Sequence, residues 1–376
     1  MENDTVVSRE HSVISQVEKF EKIKILHPKM NEVIEQAIKF IVKSCGSGIF
    51  MILGPSGVGK TTLISEVRKR IIDSCLDELE RDKSILPLVV VEVSATDSGA
   101  FDWKDFWWRC LSAVNEPLIH KKVAYVEQKK ENEGNLVSKV RDSGRNLRRA
   151  FESALIYRKP KVLIIDEAQH FGKVSSGRSY LNQLDTLKSI YNQTKVPIIL
   201  VGTYELEPFM NLNGQLGRRT KDQSFSRYDF SIEKDYMNFY GVVNGLVEYL
   251  PISLEFNLMD SYEYIYERSI GCVGILKDWL TKALYLALDE GSKSLKMKHL
   301  EKTALSSKKI LKLVNEILNG EALFAEDKET LDQIHNKLGL TKKNNKKTRG
   351  IKNPGTRSPQ RDLIGLADNF KEDKLK

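Results

Sequence analysis

Two periodicities alternate along the first two thirds of the chain. Apolar residues at Met30, Val33, Ile34, Ala37, Ile38 and Ile41 recur at the three-to-four spacing of a helix with one buried face. The uninterrupted run Ile49–Leu53 follows, then helical spacing at Leu63, Val67, Ile71, Ile72, Leu76 and Leu79, then a second apolar run from Leu88 to Val93. Val162–Ile165 and Val196–Val201 are further runs of strand length, and Tyr228 to Ile232 alternates as a fifth strand. Helical faces separate them: Val140, Leu147, Phe151, Ala154 and Leu155 before the third strand, then Leu181, Leu184, Leu187, Ile190 and Tyr191 before the fourth. Strand and helix in alternation predict an α/β fold with a parallel five-stranded sheet covered on both faces.

Beyond Lys234 the strand signal stops. Met237, Phe239, Tyr240, Val243 and Leu246, then Tyr264, Ile265, Ile270, Ile275, Leu276, Trp279, Leu280, Ala283 and Leu284, predict a small helical second domain. The expected organisation is an N-terminal extension over 1–24, the α/β domain over 25–233, helices over 234–338 and a basic tail over 339–376. The tail runs from Lys342 through Lys343, Lys346, Lys347, Arg349, Lys352, Arg357 and Arg361 with no acid before Asp362, a composition that builds no core and predicts disorder.

The candidate chemistry sits at the ends of two predicted strands. Gly54-Pro55-Ser56-Gly57-Val58-Gly59-Lys60-Thr61-Thr62 fits G-x-x-x-x-G-K-[ST] between the first strand and the first long helix. In that setting the loop's N–H groups and the helix N-terminus cradle phosphates, Lys60 reaches the β/γ-phosphates and the Thr61 hydroxyl holds Mg²⁺. A glycine-rich turn of purely structural use would need neither the lysine nor the hydroxyl. At the exit of the third strand stand Asp166 and Glu167, within Asp166-Glu167-Ala168-Gln169-His170. A parallel sheet opens its ligand crevice beyond the strand C-termini, so Asp166 is expected on the metal of Thr61 and Glu167 on the attacking water. An acidic helix cap after a core strand would need only one carboxylate. ATP and Mg²⁺ are the implied cofactors.

Composition narrows the partners. The 376 residues hold 59 Lys and Arg against 51 Asp and Glu, a net charge of +8 that suits a polyanionic partner. The residues from His120 to Lys159 are notably basic. Cys45, Cys75, Cys110 and Cys272 lack metal-ligand spacing and are expected as packed thiols. Neither a transmembrane-length apolar run nor a secretory leader pattern is present, so a cytoplasmic protein is expected, nucleoid-associated where its polyanionic partner is DNA.

The order of motifs resembles an AAA+ ATPase of the TniB/TnsC group of transposition regulators. The likeness is carried by His27-Pro28, Gly54 to Thr62, Asp166 to His170, Gly202-Thr203-Tyr204-Glu205-Leu206, Asn213-Gly214-Gln215-Leu216-Gly217-Arg218-Arg219 and Phe225-Ser226-Arg227-Tyr228, over roughly residues 25–285. It implies an AAA+ P-loop domain followed by a helical lid. Thr203 becomes the sensor of the γ-phosphate, and Arg218 or Arg219 the finger that enters a neighbouring subunit's site. A surface cation pair at a helix end is the plainer use of those arginines. The second sensor of such proteins is commonly a lid arginine, and here only Lys277 stands in its stretch. The resemblance further implies rings or helical filaments of the chain around duplex DNA, bound with little sequence preference, and a link between a target-selecting protein and a transposase. DNA-facing residues would come from between the second and third strands, where Lys104, Lys121, Lys122, Lys129, Lys130, Arg145 and Arg149 lie. Solvated helix faces account for such charges equally simply.

Three rival readings remain. The box Asp166 to His170 also occurs in superfamily-two helicases, but these need a second ATPase-type domain that is missing after Arg219. A helicase loader or origin-recognition-like AAA+ protein shares the ATP-gated assembly and differs in partner. A small-molecule P-loop kinase would leave a trans-acting arginine without a role.

Overall fold

The computed structural model describes residues 2–43, 48–94, 101–122, 126–130, 136–140, 143–172, 180–207, 220–324 and 328–340. The chain divides into two compact units, 1–325 and 326–376. The first unit begins with α1 (Glu2–Lys22), α2 (Pro28–Lys43), β1 (Ile49–Leu53), α3 (Lys60–Ser74), α4 (Leu76–Arg81) and β2 (Val89–Glu92). Helices α5 (Trp103–Ala113) and α6 (Ile119–Lys122) lead to β3 (Val126–Lys130), β4 (Leu136–Val140), α7 (Ser143–Arg158) and β5 (Leu163–Asp166). A 3₁₀ turn (Ala168–Gly172), α8 (Tyr180–Thr194), β6 (Ile198–Gly202), a second 3₁₀ turn (Tyr204–Leu206) and β7 (Thr220–Ser224) follow. The lid comprises α9 (Glu233–Glu248), β8 (Ser253–Leu254), α10 (Tyr262–Ser269), α11 (Val273–Asp289), β9 (Ser294–Leu295) and α12 (Met297–Thr303), and α13 (Ser307–Ala322) closes the unit. In the second unit α14 spans Lys328–Lys337.

The main sheet has five parallel strands in the order β2-β5-β6-β1-β7. Its inner strands β5, β6 and β1 are buried on both faces, which is why they read as continuous apolar runs. In β1, Ile49, Met51 and Leu53 face the core shared with α5, α7 and α8, while Phe50 and Ile52 face α2 and α3. Strands β5 and β6 divide in the same way, with Leu163, Ile165, Ile198 and Leu200 on the first side and Ile164, Ile199 and Val201 on the second. Each such side chain contributes about 1.5–3 kcal/mol through burial. The strand order puts β6 between β5 and β1, so the C-terminal end of β6 separates the two motif-bearing strand ends.

Two elements differ from the sequence expectation. The fifth strand is Thr220–Ser224, which pairs with β1 alone, and not Tyr228 to Ile232. An edge strand keeps one side solvated and so tolerates the polar Thr-Lys-Asp-Gln-Ser. The alternation at Tyr228 to Ile232 has another cause: the Tyr228 hydroxyl meets His27, and Phe230 packs on Tyr236, Tyr262 and Tyr266 of the lid. Val140, assigned above to a helix, belongs to β4, which pairs antiparallel with β3 in register Val126↔Val140 to Lys130↔Leu136.

The N-terminal extension is a 21-residue helix. Its Val17 and Phe20 enter the lid core beside Phe239, Leu276 and Leu280. Cys75, Cys110 and Cys272 are buried free thiols, and Cys45 lies outside the described residues. The tail beyond Leu340 is likewise outside them. Among the described residues no helix is long and apolar enough to cross a membrane.

Candidate functional site

The loop Gly54–Gly59 leaves β1 and turns directly into α3, whose first residue is Lys60. Gly57 (φ 78) and Gly59 (φ 110) hold left-handed backbone angles that side chains resist, which explains their place in the loop. Val58 is buried with Leu63 in the core beneath, so the loop is anchored while Ser56 and Thr61 are exposed. The Gly54 amide donates to the carbonyl of Gly202 at 3.1 Å, stitching the loop to the end of β6.

Lys60 is 8% exposed and its ammonium donates to the carbonyls of Gly54 (3.1 Å) and Pro55 (2.9 Å). Burial pulls its pKa down, and the charges of Glu167 and Asp166 work against that shift. Thr61, in the first turn of α3, is exposed and Thr62 is half-buried.

Asp166 ends β5, and its Oδ1 accepts the Glu167 amide at 2.8 Å. Burial raises the pKa of its carboxyl, the Glu167 amide opposes the shift, and the neighbouring Glu167 adds to it. Glu167 has φ 52, a left-handed conformation uncommon for a residue with a Cβ. Its carboxylate accepts a hydrogen bond from the Gln169 side-chain amide. The same amide's oxygen accepts the Thr203 backbone N–H at 3.2 Å. Thr203 follows β6, and its hydroxyl oxygen is buried without a hydrogen-bond partner among the described residues. Lys60, Asp166, Glu167 and Thr203 therefore converge at the C-terminal ends of three neighbouring strands. The exposed Thr61 hydroxyl and the Asp166 carboxylate are hard oxygen donors that suit Mg²⁺.

Lys277 does not join this group. Its ammonium donates to the carbonyls of Glu21 and Ile23, both at 2.5 Å, and closes the C-terminal end of α1. The lid residues that meet the loop are Gly274 and Ile275, and a cleft of about 170 Å³ beside Ser56 and Gly57 is lined by Asp278 and Lys282. Lys282 was not singled out from sequence. Arg218 and Arg219 lie outside the described residues. The nearby Arg227 is engaged within its own chain, by Glu321 at 3.3 Å and the Tyr266 hydroxyl at 2.5 Å.

The basic candidates are spread over α5, α6, α7 and the hairpin β3–β4. Lys104 on α5, Lys121 on α6, and Arg145 and Arg149 on α7 are exposed. Lys122 is half-buried in an ion pair with Glu116. Lys129 and Lys130 belong to β3, one arm of the hairpin that sequence reading missed.

A family model described as an AAA domain matches residues 44–210. The described residues have the α/β fold of an AAA+ P-loop domain, with a five-stranded parallel sheet and helices that form a lid. No curated protein sequence matches the chain significantly. Among solved structures, this chain is similar to the Aeropyrum pernix ORC2 protein in ADPNP–ADP complexes, at 16% identity and a TM-score of 0.51 over 77% of this chain and 72% of that one. It is similar to the same protein in its ADP form at 15% identity and a TM-score of 0.50, over 76% and 71% of the two chains. These likenesses are of fold.

Proposed function

We propose that this AAA+ chain is an ATPase whose nucleotide state controls its assembly on duplex DNA. The observation that carries the proposal is the convergence of Lys60, Asp166, Glu167 and Thr203 at adjoining strand ends. Thr61 and Asp166 would hold Mg²⁺, which neutralises charge on the phosphates. Lys60 would exchange its loop carbonyls for the β/γ-phosphates. Glu167 would take the proton of the attacking water, and the Thr203 hydroxyl, unpaired in its pocket, would donate to the γ-phosphate or that water. One of Arg218 and Arg219 would complete a neighbour's site, so that bound ATP bridges two copies and hydrolysis loosens them.

Support for DNA comes from the net charge of +8 and from the exposed cations on α5, α6 and α7. Contacts of this kind are to phosphates, so binding would be strongly salt-dependent and little concerned with sequence. Two biological settings fit. The likeness in fold to the ORC2 protein supports an origin-recognition-like or helicase-loading ATPase. The segments Gly202 to Leu206 and Asn213 to Arg219 support a transposition regulator that links a target selector to a transposase. Capture of a replicative helicase or of a transposase by the ATP-bound chain separates the two.

The test of the shared core is ATP turnover with and without duplex DNA, in the wild type and in Lys60→Ala. Turnover stimulated by DNA and lost in the variant supports the proposal. Turnover that ignores both DNA and Lys60 overturns it.

A further inference from the structure

One side chain joins the carboxylate at the end of β5 to the backbone at the end of β6. Gln169 is 8% exposed, and its amide is used at both ends: the nitrogen donates to Glu167 and the oxygen accepts from the Thr203 N–H. Because the oxygen is committed to a backbone group, the amide has one orientation, with its N–H₂ aimed at the carboxylate. A second observation concerns Gly202. A Cβ built there would stand 2.6 Å from the Gln169 amide oxygen and 2.6 Å from Leu206 Cδ1. Glycine at the last position of β6 thus leaves the room in which the amide sits. Glu167 itself holds a left-handed backbone angle, uncommon for a residue with a Cβ.

Resting on the ATPase reading above, we propose that Gln169 is a positioning residue that orients the Glu167 carboxylate toward the attacking water and ties that orientation to the main chain of Thr203. The bond to Gln169 Nε2 occupies Glu167 Oε2 and leaves Oε1 as the oxygen that receives the proton. A movement of Thr203 on meeting the γ-phosphate would pass through Gln169 to the carboxylate, so that sensing and proton acceptance share one side chain.

Two substitutions read this role apart from a structural one. Gln169→Ala removes both bonds. Gln169→Glu is near-isosteric, keeps the acceptor for Thr203 and replaces the donor to Glu167 with a second carboxylate. Both should bind a fluorescent ATP analogue with wild-type affinity yet lower kcat by about tenfold or more, a part of the 10²–10⁴ that a positioned general base contributes. In a Glu167→Gln background, Gln169→Ala should add less than about a twofold further loss, since residues acting through one another are not additive. Gly202→Ala, which crowds the amide, should also lower kcat more than it weakens binding.

Wild-type kcat in both Gln169 variants would overturn the proposal. So would full additivity with Glu167→Gln. If instead the wild type turns over ATP no faster than Lys60→Ala, it is the ATPase reading that fails, and the role given to Gln169 falls with it.

Discussion

The amide of Ile275 donates to the carbonyl of Gly57 at 3.2 Å, so the first turn of the lid helix α11 rests directly on the phosphate loop. Gly274 makes the approach feasible, because a Cβ there would stand 2.4 Å from the Gly57 oxygen. Gly274→Val should therefore lift the lid from the loop. Overpacking of this kind costs about 1–3 kcal/mol, so nucleotide affinity should weaken by about fivefold or more. Calorimetric titration with an ATP analogue checks this, and an unchanged Kd would show that the lid contact does not support the loop.

Lys60 and Glu167 should fail differently. Lys60→Ala removes the point charge that balances the β/γ-phosphates and should abolish productive ATP binding. Glu167→Gln keeps the shape but not the base, so it should bind ATP, lower kcat by about 10²-fold or more and prolong assemblies on DNA. Filter binding and single-turnover hydrolysis on the two variants separate the effects. Normal turnover by Glu167→Gln would move the catalytic base elsewhere.

His27 gives the fold a pH dependence whose sign is fixed by its surroundings. It is 2% exposed, stacked on Phe225, and its Nδ1 lies 2.9 Å from the Tyr228 hydroxyl and accepts the Met30 amide at 3.3 Å. Burial, aided by Lys29, lowers its pKa from 6.5 to about 4. The unfolded chain thus takes up this proton below 6.5 while the fold refuses it until about 4. Its contribution to stability is complete above pH 6.5 and declines as the pH falls toward 4, by about 3 kcal/mol in all. His27→Asn retains an acceptor for Met30 and cannot titrate. Urea unfolding across that range should show the wild type losing stability relative to the variant, and parallel curves would contradict the assignment.

Arg218 and Arg219 are tested by mixing. The double Ala variant should bind ATP but hydrolyse it poorly, and adding Lys60→Ala protein should restore part of the activity. An intact phosphate loop from one chain and intact arginines from another can meet only between subunits. No recovery at any ratio, with both proteins folded and co-assembled, would remove the arginines from a trans role.

Local motifs and buried strands were legible in the sequence, whereas long-range partnerships were not. Ile49–Leu53 and Ile198–Gly202 declare themselves because both of their faces are buried. Thr220–Ser224 does not, since an edge strand has only one neighbour, and the polar arms of the hairpin carry no apolar run. The phosphate loop and the Asp166-Glu167 pair are each continuous in sequence, so a local pattern contains each of them whole. The Gln169 bridge needed the neighbouring order of β5 and β6, which no local pattern contains. Lys277 was singled out as the cation in its stretch of the lid, but helix geometry points it elsewhere. Ile275, Asp278 and Lys282 share the face toward the loop, while Lys277 is turned about 200° from Ile275 and meets α1.

Control of assembly on DNA by ATP in this pocket can be read by sedimentation and electron-microscopic imaging of the full chain with duplex DNA. Rings or helical filaments are expected on DNA when a non-hydrolysable ATP analogue is present, with their loss in ADP or at high salt, and none from Lys60→Ala under any condition. A chain that stays unassembled on DNA with the analogue, or that assembles equally well without nucleotide and without Lys60, would contradict it.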